Sequence, residues 1–361
     1  MATIEPEPPP FSKSKAMELP RSVVIGHDAI AQVGEVVAKL KIGRRALVVA
    51  DPTTMKVAGE AVIQRLQEQK VKVSEYLIPD STMAAVREAE GILRDSDLEI
   101  ALGVGGGKSI DVAKCASFNT GAHFVSVPTA ASHDGVVSSR ASITGDGGEK
   151  LSLAAQTPVA VIMDTKIISE SPFRLLAAGC GDILSNLTAV RDWVLARNLR
   201  NEYYSSYAVA LSEMAAKLVL ENAPNIRPRL EESAWFVCKA LVSGGVAMSI
   251  AGSSRPASGS EHKFSHALDR IAKKPALHGE QVGVGTIMMM YLHNGDWEAI
   301  RNALLAIGAP TTARALGVAD EEVIDALIHA HEVNKERYTI LGDEGLNGEA
   351  AERLAHITKV L

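Results

Sequence analysis

The chain has 361 residues, a length that favours two domains, and 47% hydrophobic with 22% charged residues is typical of a globular protein with a sizeable core. A net charge of −6 argues against nucleic-acid binding and against a polybasic membrane-binding protein. The three scattered cysteines, Cys115, Cys180 and Cys238, match neither a disulfide framework nor a zinc ribbon, and they favour a reducing cytosol.

The N-terminal residues 1–20 are rich in proline and charge and lack the apolar core of a secretory signal. We expect a flexible tail here. No stretch of the sequence approaches the ~20 apolar residues that a membrane span requires. The sequence therefore predicts a soluble cytoplasmic protein without a membrane span.

Strand and helix patterns alternate in the first half of the chain, which predicts a mostly parallel sheet covered on both faces. The predicted strands are residues 44–51, 71–79, 98–107, 123–129 and 157–164. The predicted helices are residues 57–69, 83–95 and a helix beginning at 108. Residues 139–154 place GDGG between two alternating segments, which is typical of a hairpin.

Beyond about residue 172, strand patterns almost vanish and the apolar periodicity is helical. The predicted helical segments are residues 184–198, 205–222, 233–251 and 321–338. We therefore expect a Rossmann-like α/β domain at 21–171 and an all-helical domain at 172–361. A cleft between them is the expected place for a functional site.

A glycine-rich turn, GVGGG at 103–107, lies where a predicted strand gives way to a helix. Glycine allows positive φ angles and close backbone approach. The helix start at Lys108 and Ser109 offers free N–H groups and the positive end of the helix dipole to a phosphate. The contiguous glycines are not a P-loop, and they match GxGxxG only approximately. A turn that serves packing alone is the alternative.

Asp51 ends the first predicted strand. A carboxylate at this position can accept hydrogen bonds from an adenosine ribose in dinucleotide-binding folds. A simple cap of the turn DPTT is the alternative.

Residues 258–280 contain three of the ten histidines, His262, His266 and His278. His262 and His266 are four apart in a helical pattern and therefore share a face. Lys274 and Pro275 predict a helix end and a reversal that could return His278 to the side of His262. Histidine is the commonest neutral metal ligand, so the cluster favours a metal site, with a polar helix surface as the alternative.

Asp182, in GCGD at 179–182, could supply a third ligand from a distant segment. It stands between a glycine and an apolar helix, where an N-cap is the alternative role. One carboxylate with two imidazoles and a free position is the arrangement of a catalytic zinc site.

These segments together resemble the sn-glycerol-1-phosphate dehydrogenases of the archaeal type, which belong with glycerol dehydrogenases, iron-type alcohol dehydrogenases and 3-dehydroquinate synthases. The similarity extends in matching order over nearly the whole chain after the tail. The segments that carry it are GGGKSIDVAK (105–114), VPTAASHDG (127–135), GCGD (179–182), SEHKFSHALD (260–269) and PALHGEQVGVG (275–285).

The resemblance implies a dehydroquinate synthase-like fold and the NAD(P)H-dependent reduction of dihydroxyacetone phosphate to sn-glycerol 1-phosphate, the backbone of archaeal phospholipids. Asp182, His262 and His278 would bind Zn²⁺, which would assist hydride transfer. Asp134 and His266 would contact the substrate, with a turn-stabilising and a packing role as their alternatives. The cofactor would be NADH or NADPH, lined by Asp51, Gly105, Gly106, Gly107, Lys108, Ser109, Ile110, Asp111, Thr129, Ala130, Ala131, Ser132 and Ser138.

One departure from the iron-type enzymes concerns the metal. They carry a histidine ligand four residues after the aspartate, where this chain has Asn186, and three remaining protein ligands favour zinc over ferrous iron. Asp51 would favour NADH over NADPH, although a cation such as Lys56 could allow both. The substrate phosphate needs cations, and the candidates, each of which could equally be an ordinary surface charge, are Arg140, Lys150, Arg255 and Lys263.

Two other enzymes and one non-enzyme compete with this hypothesis. A glycerol dehydrogenase would use the same metal and cofactor on an unphosphorylated polyol. A 3-dehydroquinate synthase is disfavoured because its larger set of basic residues is missing. A nucleotide-binding regulatory protein would have no need of an open metal site. The apolar helical half is compatible with a homo-oligomer.

Overall fold

The computed structural model describes residues 17–361, so the predicted tail lies outside the described residues except at 17–20. A parallel six-stranded sheet, in the order β1-β8-β5-β4-β2-β3, forms the centre of the first half. Its strands are β1 (Ser22–Gly26), β2 (Arg45–Ala50), β3 (Lys72–Leu77), β4 (Ile100–Gly105), β5 (His123–Pro128) and β8 (Ala160–Asp164).

Strand β2 shows how the sheet is covered on both faces. Leu47 and Val49 point into one hydrophobic cluster, while Ala46, Val48 and Ala50 point into a second one. Alternate residues of a strand face opposite sides of a sheet, so each face of this sheet has its own core. The predicted mostly parallel sheet, buried on both faces, is confirmed.

Helices connect the strands, and a separate antiparallel hairpin projects after β5. The helices are α1 (Val33–Leu40), α2 (Pro52–Thr54), α3 (Glu60–Glu68), α4 (Met83–Asp95), α5 (Gly107–Thr120) and α6 (Thr165–Glu170). The hairpin strands are β6 (Arg140–Thr144) and β7 (Lys150–Ala154), as predicted from GDGG. The sequence patterns did not predict β1 and α1, because β1 is a short, half-buried edge strand that is held by main-chain pairing with the distant β8.

All regular structure after β8 is helical, as predicted. The helices are α7 (Phe173–Leu184), α8 (Asn186–Arg200), α9 (Ser206–Asn222), α10 (Glu231–Ala251), α11 (Ser260–Ile271), α12 (His278–Leu292), α13 (Trp297–Ile307), α14 (Ala313–Leu316), α15 (Asp320–His329) and α16 (Gly348–Ile357). The helix predicted over 321–338 was too long, because a short 3₁₀ turn follows α15 and Asn334 has a left-handed φ of 47°.

Helix α10 is the one helix of residues 17–361 with the length and apolar composition of a membrane span, which the sequence analysis did not anticipate. Its most apolar window has a mean hydropathy of 1.6, and 61% of that window is buried inside the protein. A core helix of a large hydrophobic cluster has the same composition.

The two halves share one hydrophobic cluster, which contains Leu47 and Phe124 of the sheet together with Ile183, Leu241 and Leu304 of the helical half. Helices α6 and α10 also pack together across the junction. The carboxyl ends of β2, β4 and β5 therefore lie at a fixed position relative to α7. The division into domains at 171/172 stays a prediction.

Candidate active site

Helices α7 and α12 cross at a point where their backbones touch. A Cβ on Gly279 would lie 2.0 Å from the carbonyl oxygen of Ala178, and one on Gly181 would lie 2.4 Å from that of Gly279. Only glycine allows so close an approach. The crossing places Asp182 of α7 beside His278, the first residue of α12.

Asp182, His262 and His278 form a cluster whose ligand atoms all lie within 4.8 Å of one another. The Nε2 atoms of His262 and His278 lie 3.6 Å and 3.7 Å from the same oxygen, Oδ1 of Asp182. These gaps are too long for hydrogen bonds, but they suit an ion bound at about 2.0–2.2 Å from each atom. The predicted return of His278 is confirmed, with 5.0 Å between the two ring centroids.

The alternative role of Asp182 as an N-cap is wrong. Asp182 lies two residues before the end of α7, and its Oδ2 accepts a hydrogen bond of 2.8 Å from the backbone N–H of Asp134. A loop after the sheet therefore orients the carboxylate that faces the histidines. The Asp134 carboxyl itself has no hydrogen-bond partner among the described residues, which leaves it available for a ligand.

Glu261 fixes the ring of His262. Its Oε1 lies 3.0 Å from Nδ1 of His262, so Nε2 is the nitrogen that faces Asp182. Its Oε2 accepts from the Thr188 hydroxyl at 2.7 Å. A histidine that binds a metal usually donates its other ring N–H to a carboxylate or a carbonyl, which fixes the orientation of the ring. Glu261 was not predicted as a site residue, although its place directly before His262 was a signal in the sequence.

Burial and neighbouring charges shift the pKa values of the ionisable side chains at this site. Burial and the neighbouring charge of Asp182 raise the pKa of Asp134 to about 8. Burial lowers the pKa of His278 well below its usual value, which favours the neutral, ligand form. Burial also acts to lower the pKa of His262, but the hydrogen bond and charge of Glu261 outweigh it and raise that pKa. Two imidazoles and a carboxylate in this setting fit a divalent transition metal.

His266 lies one helical turn beyond His262, at the mouth of the cluster. Its ring centroid is 6.3 Å from that of His262 and 5.6 Å from that of His278, and its side chain is 35% exposed. Its Nδ1 lies 3.6 Å from a carboxylate oxygen of Asp269. The predicted shared face is confirmed, and the exposed ring can reach a ligand in the cleft.

The glycine-rich turn is built for a close ligand. Gly105 has a φ of +147°, and a Cβ there would lie 2.8 Å from the hydroxyl oxygen of Ser109 and 2.9 Å from that of Thr54. Gly106 faces open space, and as N-cap of α5 it leaves the first N–H groups without a side-chain cap. The Ser109 hydroxyl is buried and has no hydrogen-bond partner in the described part of the chain. These features fit a pyrophosphate at the helix start.

The two predicted cofactor segments lie next to the metal cluster. The backbone N–H of Thr129 donates to the carbonyl of Gly105 at 3.0 Å, which joins the segment 129–132 to the glycine turn. A Cβ on Gly179 would lie 2.0 Å from the carbonyl oxygen of Ala131, so α7 touches the same segment. The predicted cofactor loops and the helix that carries Asp182 therefore form one continuous surface.

Asp51 caps α2, and its Oδ1 accepts from the backbone N–H groups of Thr53 and Thr54 at 2.8 Å and 2.9 Å. The alternative role of Asp51, a cap of the turn DPTT, is therefore present in the structure. Thr54 also reaches the glycine turn, so Asp51 is near the expected cofactor path, and its contact with a ribose stays a prediction.

Several other predicted cofactor residues make internal contacts. Asp111 is buried, accepting from Lys114 at 3.2 Å and from the backbone N–H of Ser142 at 3.0 Å. Lys108 is exposed and pairs with Asp80 at 2.8 Å. The remaining members share low exposure and stay predictions as cofactor contacts: Ile110, Ala130 and Ser138 are buried and Ser132 is half-buried.

The four predicted phosphate cations differ in their surroundings. Lys150 and Arg140 bond within the hairpin, to the Thr144 hydroxyl and the Ser152 carbonyl. Arg255 and Lys263 are each 3% exposed, so the reading of these two as surface charges is wrong. Asn186, at the position of the missing histidine, is also buried, and its Oδ1 has no hydrogen-bond partner within residues 17–361.

Residues 24–172 match the family model described as iron-containing alcohol dehydrogenase, and the fold and the candidate metal site agree with that class. The fold resembles a glycerol dehydrogenase from Schizosaccharomyces pombe (TM-score 0.79, 21% identity, 96% of this chain and 91% of that chain). It also resembles a probable glycerol dehydrogenase from Sinorhizobium meliloti 1021 (TM-score 0.78, 21% identity, 96% and 100%).

Curated relatives with high sequence identity show which family within this class the chain belongs to. A glycerol-1-phosphate dehydrogenase [NAD(P)+] from Methanosarcina acetivorans is 56% identical over 97% of this chain and 98% of its own length. One of the same name from Haloarcula marismortui is 52% identical over 97% of this chain and 100% of its own length. The chain belongs to the glycerol-1-phosphate dehydrogenase family, and the resemblance stated from its motifs is confirmed.

Proposed function

We propose that the protein reduces dihydroxyacetone phosphate to sn-glycerol 1-phosphate with NADH or NADPH, and so supplies the backbone of archaeal membrane phospholipids. The observation that carries the proposal is the contact between the cofactor segment and the metal-ligand helix, where Gly179 lies against Ala131. The identity of 56% to relatives named for this reaction supports the choice of substrate.

Asp182, His262 and His278 would hold the metal, which we propose to be zinc because Asn186 replaces the fourth protein ligand. When bound, the zinc would supply Lewis-acid polarisation of the substrate carbonyl. The residues around it keep the ligand atoms in place, with Glu261 behind His262 and the backbone of Asp134 holding Asp182.

Two side chains are placed to handle the substrate hydroxyl groups and a proton. The Asp134 carboxyl, free of partners in the described structure, can accept a hydrogen bond from a hydroxyl. His266 lies at the exposed mouth of the cluster, where it can donate a proton to the oxygen of the reduced carbonyl or exchange one with solvent.

The nicotinamide cofactor would supply the hydride, held along the glycine turn 105–107 and the segment 129–132. The open side of Gly106 and the uncapped start of α5 would receive the pyrophosphate. Asp51 would lie near the ribose, where a free carboxylate oxygen would disfavour a 2′-phosphate. We further propose a cytoplasmic location, in agreement with three buried, unpaired cysteines. A homo-oligomer is part of the same proposal.

The test is a turnover assay on enzyme purified without chelators. We expect NADH oxidation with dihydroxyacetone phosphate, and a product that an enzyme specific for the opposite enantiomer, sn-glycerol 3-phosphate, rejects. Turnover with dihydroxyacetone but not with its phosphate would instead identify a glycerol dehydrogenase. No turnover together with no bound metal would favour the nucleotide-binding regulatory protein.

A further inference from the structure

Gln281 lies in the first turns of α12, three residues after His278, on the side of the helix that packs against α11. We infer that Gln281 is a positioning residue, which orients His278 for the metal and His266 for the substrate through one set of hydrogen bonds. These bonds run through Ser265 and Asp269, and we call the three residues Gln281, Ser265 and Asp269 the amide network. The inference deepens the proposed function and rests on it.

Helices α11 and α12 pack closely enough for an amide between them to reach residues of both. A Cβ on Gly285 would lie 3.0 Å from the carbonyl oxygen of Glu261. One turn earlier in α12, Gln281 contacts Ser265, which lies one turn later in α11. The two helices therefore run antiparallel here, and Gln281 and Ser265 are both fully buried between them.

The hydrogen bonds of Gln281 fix which way its amide points. Its Nε2 donates to the carboxylate oxygen Oδ1 of Asp269 at 2.9 Å. The same nitrogen donates to the hydroxyl of Ser265 at 3.0 Å and to its carbonyl at 3.1 Å. Carbonyl and carboxylate oxygens only accept hydrogen bonds, so the NH₂ side of the amide, and not its oxygen, faces α11.

The oxygen side of this amide has no partner. Oε1 of Gln281 is buried and accepts no hydrogen bond within residues 17–361. A buried acceptor without a partner lowers the free energy of unfolding, and an apolar side chain of the same shape would avoid that loss. The amide is therefore better explained by what its N–H groups hold than by a contribution to stability.

The first branch of the amide network reaches the ring of His278. Nδ1 of this ring lies 3.4 Å from the hydroxyl oxygen of Ser265, and its Nε2 faces Asp182. An imidazole that binds a metal through Nε2 carries its proton on Nδ1, which can then donate to the Ser265 oxygen. Gln281 donates to the same oxygen and so keeps this acceptor beside the ring. Gln281 thus acts on a candidate metal ligand through Ser265.

The second branch reaches His266. Gln281 binds Oδ1 of Asp269, and Oδ2 of the same carboxylate lies 3.6 Å from Nδ1 of His266. A carboxylate beside Nδ1 favours a proton on that nitrogen and leaves Nε2 as the nitrogen that meets a ligand. One amide therefore orients both the ring proposed to bind the metal and the ring proposed to contact the substrate.

The decisive variant is Gln281→Met, which keeps the length of the side chain and removes both N–H groups. In a chelator competition we expect its affinity for Zn²⁺ to fall by about 10- to 100-fold, the effect of losing the support behind a metal ligand. At saturating Zn²⁺, kcat/KM for dihydroxyacetone phosphate should still be about 10-fold lower, because His266 is released as well. Thr286→Val is the matched control and should change neither value. Thr286 is equally buried in α12, and its hydroxyl bonds only to the carbonyl of Val282 in the same helix.

Two further variants separate the branches. Ser265→Ala should weaken Zn²⁺ binding about as much as Gln281→Met. The double variant should bind Zn²⁺ no more weakly than Ser265→Ala alone, because both changes act on His278 through one oxygen. Asp269→Asn should leave Zn²⁺ affinity unchanged and lower kcat/KM alone. Losses of Zn²⁺ affinity that add in the double variant would show general loosening of the helix pair and overturn the inference.

The two proposals fail in different ways. An unaltered enzyme that neither retains Zn²⁺ nor reduces dihydroxyacetone phosphate refutes the proposed function, and the inference with it. If the unaltered enzyme does both, a Gln281→Met enzyme that keeps its Zn²⁺ affinity, its kcat/KM or both refutes the joint positioning role alone.

Discussion

The contact between α7 and α12 allows a sharp prediction, because Gly279 has no room for even a methyl group. A Cβ there would lie 2.0 Å from the backbone oxygen of Ala178, and ordinary contact begins at 3.4 Å. The helices would have to separate by 3.4 − 2.0 = 1.4 Å. Metal-ligand distances tolerate only about 0.2 Å, so Gly279→Ala should move His278 away from Asp182 by more than a metal site can absorb.

We therefore expect Gly279→Ala to be purified with well under one metal ion per chain, and to lose activity in proportion. Overpacking of a buried contact typically lowers the free energy of unfolding by about 1–3 kcal/mol, and a rigid backbone neighbour places this case at the upper end. Metal analysis and denaturant unfolding monitored by circular dichroism measure both effects.

Gly91→Ala is the matched control, because Gly91 lies in α4 and no atom of the described residues outside its own helical turn lies within 4 Å of the added methyl group. It should keep full metal content and gain about 0.5–1 kcal/mol of stability, since alanine is the better helix former. A Gly279→Ala enzyme that binds a full complement of metal at unaltered stability would refute the reasoning about the helix crossing.

Three further predictions concern the metal and cofactor sites. Asp182→Asn should abolish activity and weaken metal retention while the far-ultraviolet circular dichroism stays unchanged, because the shared ligand oxygen loses its charge. Glu261→Gln should lower metal affinity by about 10- to 100-fold in a chelator competition, because the support behind His262 becomes neutral. Gly105→Ala should raise KM for the nucleotide and destabilise the protein by about 1–3 kcal/mol, because φ is +147° and two hydroxyls crowd the added methyl group.

Each of these has a contrary outcome. Full activity of Asp182→Asn without bound metal would exclude the metal-assisted mechanism. Unchanged chelator competition in Glu261→Gln would mean that the ring of His262 is held by packing alone. An unchanged KM in Gly105→Ala would move the cofactor away from the glycine turn.

Most helices and strands of the first half could be predicted from the sequence, because the apolar pattern of each lies within its own short stretch of chain. Helix α4 was predicted at 83–95, where the structure has it, since its apolar period is regular and the Thr82 hydroxyl caps its first turn. Strand β1 could not be predicted, because its stability comes from pairing with β8, which lies more than a hundred residues away in sequence. A strand at the edge of a sheet carries little apolar signal of its own.

The cluster of candidate metal ligands could also be predicted from the sequence. Helical spacing brought His262 and His266 to one face, and the break at Lys274 and Pro275 allowed His278 to return. The sequence left two roles open for Asp182, an N-cap and a metal ligand. The crossing of α7 with α12, which brings Asp182 beside His278, decided against the N-cap.

Burial and long-range packing decided the rest. Lys263 and Arg255 look alike in the sequence. In the structure Glu202 forms an ion pair with Arg255, whereas no carboxylate of residues 17–361 forms one with Lys263. The Ser260 hydroxyl likewise lacks a partner among residues 17–361 only because tertiary packing buries it. Spacing along a helix is a property of the chain, whereas the partner that a buried charge finds or lacks is a property of the whole fold.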